Sequence, residues 1–313
     1  MNSDSLCGSM KTVTIDNPFG APVYYRETVS STMDEARLLA AGGADHGTVI
    51  CAGFQEAGRG RTPGRPWNAD RGKNLFCTIL LRCGDFAAIP RALTLRTGLA
   101  VSLAIEDAAP ALKDRVLVKW PNDIMIGERK AAGILTEGDG RVVYIGIGVN
   151  VGQTDFSGAL RTKAVSIVLA QREYSAAKAG AASTPGSTPG GERTGQEACF
   201  LLLERILARL YRELQTRGLQ TGGLTAPDRD GGAADGFSGG EGGGGETGQW
   251  RQHLEARLFR RGSRVRFING GADMGKPVEG VLCGIGADGE LLIIPDSDTV
   301  PRPFITGELE VYG

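Results

Sequence analysis

Gln55-Glu-Ala-Gly-Arg-Gly-Arg-Thr-Pro-Gly-Arg-Pro-Trp67 follows directly on the apolar run Val49-Ile-Cys-Ala-Gly-Phe54. The run is rich in β-formers and predicts a strand; the breaks that follow it predict a loop at the strand's end. Three guanidinium groups, Arg59, Arg61 and Arg65, lie on that loop, spaced by Gly58, Gly60 and Gly64. Arginine suits bidentate contact with phosphate oxygens, and glycine lets the backbone approach a ligand or take a positive φ. The spacing matches neither the G-x-x-x-x-G-K-[ST] phosphate loop nor the G-x-G-x-x-G dinucleotide turn. Taken by itself the stretch fits a solvated basic loop, or an Arg–Gly contact to RNA, as well as it fits a small-molecule site.

Outward from this loop the pattern alternates. Leu75-Phe-Cys-Thr-Ile-Leu-Leu81, Val116-Leu-Val-Lys-Trp120 and Val142-Val-Tyr-Ile-Gly-Ile147 read as further short strands. Thr32 with Glu35 three residues on makes a capping-box pattern, opening a helix to about Ala41. Pro90 is expected to start a second helix that runs to about Ala108. Leu203, Ile206, Leu207, Leu210 and Leu214 fall on one stripe of a third. Beyond Phe259 no helical spacing recurs. Arg264–Ile268, Val278–Leu282, Leu291–Ile294 and Glu308–Val311 are short strand-like runs separated by Gly-rich turns, the pattern of a small β-barrel. The expected organisation is one large mixed domain over residues 1–257 and a β-barrel over 258–313.

Two stretches break the large domain. From Ser175 to Gly195, 18 of 21 residues are Ala, Gly, Ser, Thr or Pro; from Gly218 to Gly248, 13 of 31 are Gly. Neither holds enough apolar surface to offset the ordering of its chain, so both are expected to be flexible insertions.

Composition narrows the classes of function. The 313 residues carry 35 Lys+Arg against 36 Asp+Glu, a formal net charge of −1, which argues against an electrostatic nucleic-acid binder. No run of about 18 apolar residues occurs, so no transmembrane segment is expected. The cysteines at 7, 51, 77, 83, 199 and 283 form no C-x-x-C, and His46 and His253 are the only histidines. A structural zinc site therefore lacks ligands, and a reduced, cytoplasmic setting is expected.

Three more segments carry chemistry. Val118-Lys-Trp-Pro-Asn-Asp-Ile124 ends a strand in a turn; Arg129-Lys-Ala-Ala-Gly-Ile-Leu-Thr-Glu137 places Lys130 ahead of an apolar strand; Gly146-Ile-Gly-Val-Asn150 is a strand whose glycines permit close approach. Singly, each also reads as ordinary turn or strand. In this order and combination, with Ser31-Thr32 upstream, they resemble the biotin–protein ligase family, with motif strength over about residues 25–170.

The resemblance implies an α+β fold: a catalytic domain like those of class II aminoacyl-tRNA synthetases and biotin–lipoate ligases, with a C-terminal SH3-like β-barrel. It implies an ATP-dependent enzyme that makes biotinyl-5′-AMP and passes biotin to a lysine of a biotin carboxyl carrier protein. Lipoate–protein ligase or octanoyltransferase is the alternative within the same superfamily. By resemblance, Ser31, Thr32 and Gln55 meet the biotin ureido group, and Arg59, Arg61, Lys130 and Gly133 complete the biotin site. Arg65, Trp67, Asn122, Lys130 and Asn150 face ATP or the adenylate. Lys130, Arg61 and Asp123 are the catalytic candidates. Mg²⁺ is expected on the ATP phosphates with no metal site built by the protein. Only 30 residues precede Ser31, so no DNA-binding module, no DNA and no membrane partner are expected, with a monomer or homodimer as the assembly.

Overall fold

The computed structural model describes residues 10–61, 67, 70–84, 89–179, 195–215, 249–270, 275 and 277–310. The apolar runs become eight strands: β1 (Lys11–Thr12), β2 (Val23–Arg26), β3 (Val49–Ala52), β4 (Leu75–Arg82), β5 (Val116–Lys119), β6 (Asp123–Ile126), β7 (Arg129–Asp139) and β8 (Val142–Val149). They form one sheet in the order β1-β2-β3-β4-β8-β7-β6-β5. Every adjacent pair is antiparallel except β2 and β3. That parallel pair needs a crossover, and the chain supplies it as α1 (Thr32–Ala41).

Strand alternation sorts the two faces. Cys51, Cys77, Ile79, Val143, Ile145 and Ile147 join the main core, under α2 (Leu93–Ala108) and α5 (Gly195–Gln215). Ile50, Leu80, Val142 and Tyr144 point the other way, onto Met33 and Ala36 of α1. On β8 the residues that continue this second set, Gly146 and Gly148, bring no side chain. The α1 face is thus filled at one end and open at the other. α4 (Ile167–Ala179) follows β8 through the short α3 (Leu160–Lys163).

The stripe on α5 is buried as its spacing requires: Leu203, Ile206, Leu207, Leu210 and Leu214 all lie inside. Three expectations are corrected. The cap of α1 is Ser31, whose Oγ accepts from Met33 N at 3.2 Å, and Thr32 is the first helical residue. Pro90 does not start α2; a turn at Arg91-Ala92 intervenes, with Ala92 at φ +57°. Ser175–Ala179 is the last part of α4 rather than the start of an insertion. Of the two expected insertions, residues 180–194 and 218–248 lie outside the described residues, and Gly195 opens α5.

The last part forms a second, wholly antiparallel sheet from β9 (Arg264–Asn269), β10 (Pro277–Ile285), β11 (Leu291–Pro295), β12 (Arg302–Phe304) and β13 (Gly307–Glu310). β12 was not legible in the sequence, because Arg302-Pro-Phe304 is short and carries a proline. The order β12-β11-β10-β9-β13 puts β12 and β13 at opposite edges, yet only Ile305 and Thr306 separate them in the chain. The sheet therefore curls until its edges meet, as a small barrel does. Phe267 and Phe304 pack inside it at 4.8 Å between centroids.

The two sheets are joined rather than merely tethered. Val118 N donates to Arg257 O at 2.8 Å and Phe259 N to Val118 O at 2.9 Å, so residues 257–259 cover the β5 edge. Trp120 Nε1 donates to Gly289 O at 3.0 Å, and its ring meets Phe267.

Candidate functional site

The open end of the α1 face is a cleft with about 520 Å³ of empty volume. Four pieces of chain build it: the N-terminus of α1, the segment after β3, the turn between β5 and β6, and the glycine-bearing stretches of β7 and β8. Of the residues expected at a site, Ser31, Thr32, Gln55, Arg59, Arg61, Trp67, Asn122, Lys130 and Gly133 all line it.

At one end the donors and acceptors are arranged in a chain. Gln55 Oε1 accepts from Thr32 N at 2.8 Å and from Thr32 Oγ1 at 3.0 Å, and Thr78 Oγ1 donates to Thr32 Oγ1 at 2.9 Å. Each hydroxyl is oriented by its neighbour, and the Gln55 amide nitrogen stays uncommitted among the described residues. Ser31 and Thr32 are 2% and 3% exposed, so the polar end is dry and its geometry is fixed by these bonds.

The floor is glycine. Gly133 and Gly148 are cross-strand partners on β7 and β8. A Cβ on Gly133 would stand 2.8 Å from Trp67 Cζ3, and one on Gly148 3.1 Å from Trp67 Cε2. The Trp67 indole therefore rests flat on a pair of residues that must have no side chain. Its Nε1 is buried and has no hydrogen-bond partner among the described residues, a costly state for a donor unless a ligand supplies the acceptor.

Over this floor stands Lys130. Its ammonium is 5.2 Å from the Trp67 ring centroid and 2.5 Å from Asp123 Oδ1. The β6–β7 hairpin sets that pair, and Asn122 locks it: its Nδ2 donates to Ile134 O at 2.9 Å and its own carbonyl accepts from Ile134 N at 2.9 Å. Arg59 and Arg61 line the opposite rim. Arg59 makes a bidentate pair with Asp34, Nη1–Oδ2 3.0 Å and Nη2–Oδ1 2.6 Å. That guanidinium holds the Asp34 carboxyl below the usual carboxylate range. Arg61 Nη2 donates to Gly307 O of the second sheet at 2.9 Å.

Three expected residues do not line the cleft: Asp123, which reaches it only through Lys130, and two that stand apart. Asn150 is buried and does not line the cleft; its Nδ2 donates to Val165 O at 3.3 Å and Lys130 O at 3.5 Å, so it braces the strand that bears Lys130. Arg65 lies outside the described residues. The lining also includes Met33, Gly60, Ile134, Leu135, Gly146, Ile147 and Gly148. The apolar ones were not singled out in the sequence because the same alternation builds the core; the glycines of β8 were the legible signal. Among the described residues no group of three or more His, Cys, Asp or Glu is placed to hold a metal ion.

Residues 25–153 match the model of the biotin/lipoate A/B protein ligase family. Among curated proteins, the bifunctional ligase/repressor BirA of Bacillus subtilis is 38% identical over 161 residues, 49% of this chain and 48% of that protein. The biotin–[acetyl-CoA-carboxylase] ligase of Paracoccus denitrificans is 38% identical over 149 residues, 46% of this chain and 60% of the other. The chain thus spans about half the length of the curated relatives it matches. Among solved structures, the biotin protein ligase of Aquifex aeolicus in complex with biotin and ATP aligns with TM-score 0.65 at 21% identity, covering 92% of this chain and 97% of that one. The fold is that of the biotin protein ligases, as the motifs led us to expect. No helix among the described residues is long and apolar enough to cross a membrane.

Proposed function

We propose that the chain is an ATP-dependent biotin–protein ligase, which activates biotin as biotinyl-5′-AMP and transfers it to a lysine of a biotin carboxyl carrier protein. The observation that supports this best is the convergence of Lys130, Arg59 and Arg61 on a cleft whose far end is the dry Ser31–Thr32–Gln55 network. A neutral ureido ring asks for hydrogen-bond donors and acceptors at a closed end; an acid that must meet a polyphosphate asks for cations at the mouth.

In the first step a carboxylate oxygen attacks the α-phosphorus and pyrophosphate leaves. Like charges must approach, so the reaction gains from fixed positive charge and from alignment. The Lys130 ammonium, placed by the β6–β7 hairpin, is suited to stand between the carboxylate and the α-phosphate. Asp123 holds that ammonium in position before ligand arrives and is the nearest carboxylate to receive a proton from an incoming amine. In the second step the carrier lysine attacks the acyl carbon and AMP departs. The unpartnered Trp67 Nε1 fits as a donor to the adenylate. Asn122 faces the same side, and Asn150 acts through the Lys130 strand. Mg²⁺ would enter with the nucleotide phosphates, which it holds largely with water.

The test is biotin-dependent ATP–pyrophosphate exchange, with lipoate and octanoate as competitors for the role. Exchange with biotin is expected, and Lys130→Ala is expected to lower it by about 10²–10³-fold. Exchange with lipoate alone would replace this reading with the alternative one. Near-normal exchange in Lys130→Ala would remove the lysine from its role.

A further inference from the structure

Arg59 lines the cleft, but the group that places it does not. Asp34 sits in the first turn of α1, where a carboxylate is favoured by the helix N-terminus. It takes two of the five guanidinium N–H groups of Arg59 and leaves three for another acceptor. Asp34 is itself steadied: Arg37 Nη1 lies 3.3 Å from Oδ1, and Arg37 also pairs with Glu137 of β7 and stacks over Tyr144. The result is an alternating row, Arg59–Asp34–Arg37–Glu137, that ties the rim of the cleft to the sheet. Beyond Gly60 the segment has a second anchor at Gly307 O, and its root is held by Ala57 N donating to Ser30 O at 2.9 Å.

We infer that Asp34 is a positioning residue: through its bidentate pair it holds Arg59 over the cleft mouth and so keeps bound adenylate from leaving. This rests on the reading of the cleft as an adenylate-forming site. Asp34 touches neither ligand nor reacting atoms; it acts through Arg59. Both partners are partly exposed, 45% and 41% for the side chains, so the effect is modest, about two- to fivefold, as for other surface pairs.

The full chain is loaded with biotin and ATP, freed of excess ligand, and the dissociation of biotinyl-5′-AMP is followed after a chase. Asp34→Asn is expected to release it about two to five times faster, with pyrophosphate exchange within twofold of the parent. Asp34→Glu, which keeps the charge, is expected to restore slow release. In an Arg59→Gln background, Asp34→Asn is expected to add nothing further, because its action passes through that guanidinium. Equal release from Asp34→Asn and parent, or a full additional effect in Arg59→Gln, would overturn the inference while leaving the ligase reading intact. A parent chain that forms no adenylate from biotin would overturn both.

Discussion

Gly133 and Gly148 show how little room the cleft leaves. An added Cβ at 133 meets both the Trp67 ring and the Lys130 side chain, whose Nζ would be 3.2 Å away. Gly133→Ala is expected to raise the KM for the acid substrate at least tenfold in exchange kinetics, with the melting temperature nearly unchanged. A melting temperature that falls with the KM would instead make this glycine a packing residue. The cysteines behave in the opposite manner. Burial pushes the Cys77 and Cys199 thiols up to about 12, and Cys51 well above its ordinary value. In the native protein at pH 8 these three are expected to resist an aromatic disulfide reagent that reaches the half-buried Cys283, and to react only on unfolding. Asp34 adds a pH dependence. Its folded pKa lies below the ordinary 3.8, chiefly through the hydrogen bond from Arg59. Its contribution to stability is therefore full above that ordinary value and is lost as pH falls through the lower folded one. The gap in melting temperature between parent and Asp34→Asn should stay constant from pH 7 to about 4.5 and close only in stronger acid.

At the scale of the element, α5 and α1 carry different kinds of information. The α5 stripe repeats over about three turns and each of its members has the same task, so its spacing alone predicted the buried face. Leu207→Ala, at a fully buried site, is expected to cost about 2–5 kcal/mol in chemical denaturation. The start of α1 is harder to read, because Ser31 and Thr32 both fit a cap. The structure separates them: the Ser31 hydroxyl turns back to Met33 N, freeing Thr32 to donate to Gln55. Ser31→Ala is expected to cost about 1 kcal/mol of stability, a loss that Thr32→Ala would not show for the same reason. Pro90 misled for a related cause. Proline suits a first helical turn, but it equally suits the bend before one, and neighbouring composition does not distinguish them. The cleft was legible only through the ordered combination of segments that carry Lys130, Gln55 and Arg59, since each of these residues alone also fits a solvated loop or strand start. Met33, Ile134 and Leu135 were not, since an apolar wall and an apolar core use the same residue types.

For the whole molecule, the question is whether the two sheets are independent. Trp120 lies at the end of β5, is 3% exposed, and reaches Gly289 and Phe267 of the second sheet. Buried side chains from both sheets belong to one continuous core. A single cooperative unfolding transition is expected by circular dichroism and by intrinsic fluorescence alike, without separate melting of residues 258–313. Trp120→Phe, which removes the Nε1 donor and part of the buried ring system, is expected to lower stability by about 1–3 kcal/mol, because Gly289 O loses its partner and the core loses packing. Two resolved transitions in the parent would show that the sheets fold separately. The runs of β-formers announced both sheets, but nothing in a linear pattern tells that residues 257–259 lie along the β5 edge; that pairing is made across more than a hundred positions of chain.

Of the three tryptophans, Trp120 and Trp250 are enclosed in the core, while Trp67 alone lies in the cleft with a charged amine near its face. Ultraviolet emission from this chain therefore contains one lamp that dims or brightens with occupancy against two that hold steady. The protein carries its own gauge of ligand binding, readable in a cuvette without any dye.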